Sequence, residues 1–317
     1  MIITGLLIAL GFLAVWFIYL LARDCKKAYA AGEIEKKGSP VLFAVMGTVI
    51  NFFDALGIGS FAVSTAVFKI GKVMDDKLIP GTLNVATTTS LIAEAFIYMS
   101  IVEVDPLTLL LTIGCAMIGA YVGASIVTKL PRKQIQIGMG SALVIVAVLL
   151  VLGLVGVLQM NGTATSLRGI ELGIACTVCF ILGITNCIGI GMFAPTMAMA
   201  SLLGLSPIVA YPIMTGGSAF LQPIAAWKFI KESSYNRKLA LIWSIFGVVG
   251  VLIAAFLVKS LPVSALKIIV VVVVAYTAIS MFVSAFGSKG KKSGAEKGEQ
   301  EEASDVSALA TPEADVA

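Results

Sequence analysis

Residues 54–62 read DALGIGSFA, and residues 189–194 restate its centre as GIGMFA. In each stretch two glycines flanking one isoleucine interrupt an apolar run, and Gly57 and Gly189 are 132 positions apart. Pro80 and Pro212 share that separation, while KLP at 129–131 meets SLP at 260–262 at a separation of 131. A constant offset through matching hydropathy marks an internal duplication, two units of roughly 120 residues each, and not a solenoid of short repeats.

Composition sets the surroundings of this repeat. The 317 residues are 59% hydrophobic and 13% charged, against about 25% charged in ordinary soluble domains. Several apolar stretches reach the roughly 20 residues a helix needs to cross a bilayer. The short alternating segments of a transmembrane barrel do not occur. The class is an all-α polytopic membrane protein. Residues 1–22 form a retained N-terminal transmembrane helix, because the basic residues Arg23, Lys26 and Lys27 follow its apolar core instead of preceding it. The chain carries no histidine, which removes the commonest proton shuttle and metal ligand. Cys25, Cys115, Cys176, Cys179 and Cys187 read as small packing residues, since a single C-x-x-C without histidine is a weak metal or redox signal. No cofactor and no nucleic-acid partner are expected.

Loop charges decide how the repeats run. Loops 23–40, 129–133 and 228–238 and the terminus 287–292 are basic and belong to the cytoplasm; loop 102–106, VEVDP, is acidic and loop 159–167 is neutral, so both belong outside. These assignments agree only if segment 41–70 enters the membrane and returns to the same side, and segment 170–203 does the same from the other side. The expected architecture is therefore two inverted repeats, 41–158 and 159–286, each a re-entrant helical hairpin plus three transmembrane helices. One extra N-terminal helix, a cytoplasmic loop at 23–40 and a disordered cytoplasmic tail at 287–317 complete the chain. The N-terminus lies outside and the C-terminus in the cytoplasm of a multi-pass plasma-membrane protein.

Broken helices at membrane depth are tolerated where they line a cavity, and paired breaks in inverted repeats point to a transporter binding site. Gly57, Gly59 and Ser60 in one copy and Gly189 and Gly191 in the other would bring backbone amides and positive helix ends to one small anion. The segments that follow, PGTLNVATTTS at 80–90 and PIMTGGSAFLQ at 212–222, each begin with a proline suited to the first turn of a helix. They add Asn84, Thr87 and Thr88, and Thr215, Gly216, Gly217, Ser218 and Gln222, as hydrogen-bonding or close-approach positions. Asp54 and Glu94 lie inside apolar segments, where a charge costs roughly 3 kcal/mol, and are the candidates for proton coupling. Their counterparts 132 residues on are Asn186 and Ala226, and residues 172–227 carry no charge. The bland alternatives are glycines that only let helices pack, as in Gly119-x-x-x-Gly123, and hydroxyls that bond their own backbone.

NFFDALGIGSFAVSTAVFK, DDKLIPGTLNVATTTS and GITNCIGIGMFAPTMAMASLLGLSP together resemble the TauE/SafE sulfite-exporter family of membrane transporters, over roughly residues 40–285. The resemblance implies a sulfite-like, sulfonate-like or other organic anion as substrate, proton-linked movement, and Gly57, Gly59, Gly189 and Gly191 along its path. The expected function is secondary transport of such an anion; the alternative is a passive anion channel of the same fold. An intramembrane enzyme would need a nucleophile–base pair or a metal site, and none is marked. The partners are the small anion and the lipid bilayer, and a homo-oligomer is open to the fold.

Overall fold

The computed structural model describes residues 2–157, 162–257, 279 and 282–283. All regular segments among them are helical: α1 (Ile2–Ala30), α2 (Pro40–Ala55), α3 (Ser60–Ile70), α4 (Ile79–Ala86), α5 (Thr88–Ile101), α6 (Pro106–Val127), α7 (Arg132–Leu154), α8 (Gly169–Asn186), α9 (Phe193–Leu202), α10 (Pro207–Lys231) and α11 (Arg237–Leu257). Five of the described helices, α1, α6, α7, α8 and α11, are long and apolar enough to cross a membrane. With α2 at 16 residues and α3 at 11, those two helices are about 24 and 16 Å long at 1.5 Å per residue, short of the ~30 Å hydrocarbon core. The last helix of the second repeat, expected within 263–286, and the tail from 287 lie outside the described residues apart from 279 and 282–283.

Helix boundaries follow the duplication. From α2 to α8, from α3 to α9 and from α6 to α11 the starting residues move by 129 to 133 positions. The breaks are built alike. Gly57, at φ 87°, donates to Asp54 O at 2.8 Å while Ile58 N donates to Phe53 O at 3.2 Å. In the second copy Gly189, at φ 117°, donates to Asn186 O at 3.1 Å while Ile190 N donates to Thr185 O at 3.1 Å. Each is a left-handed glycine that ends a helix with a six-to-one backbone bond.

Packing exchanges partners between the copies. The most extensive pairings are α2 with α11 and α6 with α8, so the first helix of each break lies on the other unit's spanning helix. Both seams depend on missing side chains. A Cβ on Gly119 of α6 would overlap the Phe180 carbonyl oxygen, and one on Gly250 of α11 would overlap the Thr48 carbonyl oxygen. Thr48 and Phe180 are 132 apart, and Gly119 and Gly250 are 131 apart, the same one-residue slip that separates KLP from SLP.

Three sequence expectations change locally. α1 continues to Ala30 instead of ending at 22, because Asp24 is anchored there by Arg237 Nε at 2.8 Å and the Tyr235 hydroxyl at 2.6 Å. The proline-led stretch 80–90, expected within one helix, falls on two helices, α4 and α5, that meet at Thr87, whose hydroxyl donates to Leu83 O at 2.8 Å. Pro80 stands in the first turn of α4 as expected, but Pro212 lies inside α10, which starts earlier at Pro207.

Ionic clasps close two connections. Asp76 accepts from Lys69 Nζ and from Gln136 Nε2 at 2.6 Å, with Arg132 at 3.5 Å, tying the end of α3 to α7. Burial raises the Asp76 pKa, but these partners outweigh it and hold the carboxyl below its usual range. At the α6 start, Arg168 grips Asp105 with two bonds of 2.7 and 2.8 Å. That guanidinium holds the Asp105 carboxyl well below the usual carboxylate range.

Candidate functional site

The two breaks meet. Asp54 ends α2 and faces back onto the start of α3, where the Ser60 N–H donates to Asp54 Oδ1 at 2.7 Å. The carboxylate thus occupies the positive end of α3, the place where a bound anion would sit. Its other oxygen, Oδ2, is buried without a partner. In the second copy Asn186 stands in this position and turns away: its Nδ2 donates to Asn84 Oδ1 at 3.0 Å, and Asn84 Nδ2 donates to Asn186 O at 3.3 Å. Asn186 Oδ1 is also buried and unpartnered. No side chain caps the start of α9.

Between the breaks lies a cavity of about 10 Å³, the room of a single water. Asp54, Gly59, Ser60, Gly191 and Ser218 line it, as does Asn186. Its wall is completed by Phe61, Leu91, Met192 and Phe193, which sequence reasoning did not single out. The signal was present: Phe61 and Phe193 are 132 apart and belong to the repeated GIGSFA and GIGMFA. Every polar side chain on this wall is uncharged except Asp54.

The remaining expected residues sit around this centre in other roles. Gly57 faces Tyr211, whose hydroxyl would lie 3.1 Å from an added Cβ; Gly189 faces Met139; Gly217 faces Met192. Gly216 points away from the breaks into Ile113 and Met99. Thr88 donates to Asn84 O at 2.6 Å and Thr215 to Tyr211 O at 2.8 Å, each to the turn before it in the helix. Thr87 Oγ1 lies 3.1 Å from Gln222 Oε1, joining α4 to α10. Of the hydroxyl and amide groups expected in 80–90 and 212–222, Ser218 alone lines the cavity. The others brace the helices behind it.

Glu94 does not line the cavity. It is fully buried on α5 with neither carboxyl oxygen partnered. One helical turn further along α5, Tyr98 stacks on Tyr211 at 5.1 Å, and its hydroxyl donates to Ala55 O at 2.6 Å. A cleft of about 190 Å³ opens beside Ala55, Leu56 and Tyr98. A larger apolar crevice, about 360 Å³ between α2 and α3, reaches Ile58 and Gly59 from the flank.

Known proteins supply the remaining comparison. The sulfite exporter TauE/SafE family matches residues 2–163 and 172–311, nearly the whole chain and both copies of the repeat. No curated protein and no solved structure gives a match. With its apolar helices and this match across both units, the chain is a multi-pass membrane protein that belongs to the sulfite exporter TauE/SafE family of transporters.

Proposed function

We propose that the protein is a proton-coupled secondary transporter of small sulfur-containing or organic anions of the sulfite or sulfonate type. One observation carries this reading: the Asp54 carboxylate occupies the Ser60 amide at 2.7 Å. While Asp54 is ionised, the two unpartnered atoms on the cavity wall, Asp54 Oδ2 and Asn186 Oδ1, are both acceptors and repel an oxyanion. A proton on Asp54 removes the competing charge, weakens its hold on the amide and turns the group into a donor. The anion then takes the helix end that Asp54 gave up. Proton and anion bind together, and each leaves when the other does. Glu94, one helical turn before Tyr98 on α5, is the second station for the proton.

The reading includes the two inverted repeats. The exchange of partners between α2–α11 and α6–α8 fits two copies related by a two-fold axis, and the loop charges favour the inverted sense. In that arrangement α2–α3 and α8–α9 are re-entrant hairpins from opposite sides. The N-terminus lies outside and the C-terminus in the cytoplasm of the plasma membrane. Gly59, Ser60, Gly191 and Ser218 contact the anion, and Gly57 and Gly189 shape the turns. A centre closed down to about 10 Å³ favours a carrier over an open channel.

Reconstituted vesicles test the proposal. Under an imposed pH gradient with no anion gradient, sulfite or methanesulfonate should accumulate, and Glu94→Gln should reduce accumulation more than exchange. Flux that only ever follows the anion's own gradient would establish the channel instead.

A further inference from the structure

We infer that Phe61 and Phe193 form a two-ring gate that sets the size of the anion admitted between the breaks; the inference rests on the transport reading above. Each phenylalanine packs on the other copy's glycine, Phe61 through its Cβ and ring and Phe193 through its Cβ. A Cβ on Gly59 would meet Phe193 Cβ at 3.6 Å, and a Cβ on Gly191 would meet Phe61 Cβ at 3.1 Å. The four residues are two pairs related by the same 132-residue offset, so the contact is reciprocal: each hairpin closes the other. Both rings are buried, with exposures of 4% and 6%, and both bound the central cavity.

The geometry also accounts for a glycine that its backbone does not require. Gly57, Gly59 and Gly189 adopt positive φ, but Gly191 does not. A side chain at Gly191 would be acceptable to the backbone and would press on Phe61. The missing Cβ at this position therefore serves the ring.

A cavity of about 10 Å³ has room for one water, and an oxyanion with three oxygens is larger. Admission requires at least one ring to leave its glycine. Phe61 is the second residue of α3 and Phe193 the first of α9, so each ring is carried by the turn immediately before it. Any reorientation of a hairpin swings its ring off the opposite glycine. The space released, and not the polar groups, then limits how long a substituent on the sulfur can be.

A homologous series from methanesulfonate to butanesulfonate tests this in two ways: thermal stabilisation of the purified protein, and uptake into vesicles. Wild type should favour the shortest member. Phe61→Ala and Phe193→Ala should each raise the butanesulfonate-to-methanesulfonate ratio by about tenfold, the discrimination that a few methylenes command in a fitted pocket. Phe61→Leu and Phe193→Leu should shift it in the same direction by less, and they carry the comparison if the alanine variants fail to insert. If wild type is stabilised by methanesulfonate and the variants keep its length preference, the gate is wrong and the transport reading stands. If no member stabilises or enters with wild type, the transport reading fails and the gate with it.

Discussion

Replacing Asp54 by asparagine separates the charge of this residue from its shape. The Ser60 N–H still finds an acceptor near 2.7 Å, but a neutral one. A hydrogen bond to a charged group contributes about 1.5–3 kcal/mol and a neutral one about 0.5–1.5 kcal/mol. The difference, roughly 1–1.5 kcal/mol, is the advantage Asp54 holds over an incoming anion for that amide, equivalent to a roughly five- to twelve-fold change in affinity. At neutral pH Asp54→Asn should therefore bind anion more tightly by that factor. The sign of the pH effect follows from the same competition. In wild type the apparent Kd should therefore rise with pH through the Asp54 titration by that same roughly five- to twelve-fold and then level off. Asp54→Asn should be flat. Methanesulfonate is the right ligand because its own charge does not change between pH 5 and 8. Ligand-induced thermal stabilisation in detergent reads the result, with each tenfold in Kd worth about 1.4 kcal/mol at saturating ligand. An Asp54→Asn protein whose affinity tracks pH with the wild-type slope would refute the competition and shift the proton to Glu94.

Two further outcomes test the frame. Gly119→Val places side-chain atoms where the Phe180 carbonyl oxygen lies and should lower stability by about 1–3 kcal/mol, the usual cost of overpacking; thermal unfolding unchanged from wild type would mean the α6–α8 seam is not closed. Arg168→Gln removes both bonds to Asp105. Because Asp105 is held below its usual range, the pair's contribution is present above the unfolded value of about 3.9 and is lost as pH falls below it. The melting difference between wild type and Arg168→Gln should therefore be constant from pH 7 to 5 and shrink below about pH 4.

The duplication was legible because glycine and proline are punctuation whose meaning is local. The two GIG stretches end α2 and α8 where the pattern placed a break, by the same pair of backbone bonds. Gly119 and Gly123 pack against α8 as their spacing suggested. What escaped the sequence was direction. Thr88 and Thr215 look like ligands until their hydroxyls are found bonded to the preceding turn. Gly216 and Gly217 are neighbours, yet one faces Met99 and Ile113 and the other Met192. The self-capping of Asp54 onto Ser60 depends on how tightly the intervening turn folds, which residue spacing alone does not express. Phe61 and Phe193 read as core from the sequence, because an aromatic two residues after a glycine does not reveal the opposite copy's glycine it packs on.

The glycine seams have a mechanical meaning. Where a carbonyl oxygen sits on a glycine, as between Phe180 and Gly119 and between Thr48 and Gly250, there is no slack for one helix to slide on the other. The α2–α11 and α6–α8 seams are thus stiff, and α5 on α11 and α10 on α6, packed on each other, tie them into one frame. The Asp76 clasp joins α3 to α7, and α7 packs on α9; α3 and α9 are the short arms that leave the frame at the two glycine turns, with α9 also resting on α10. Asp54 is the last polar residue of the frame and Ser60 the first residue of the arm. Their bond is a fastener across the turn, and on the proposed mechanism the proton that readies the site for its anion is also the one that unlatches the joint.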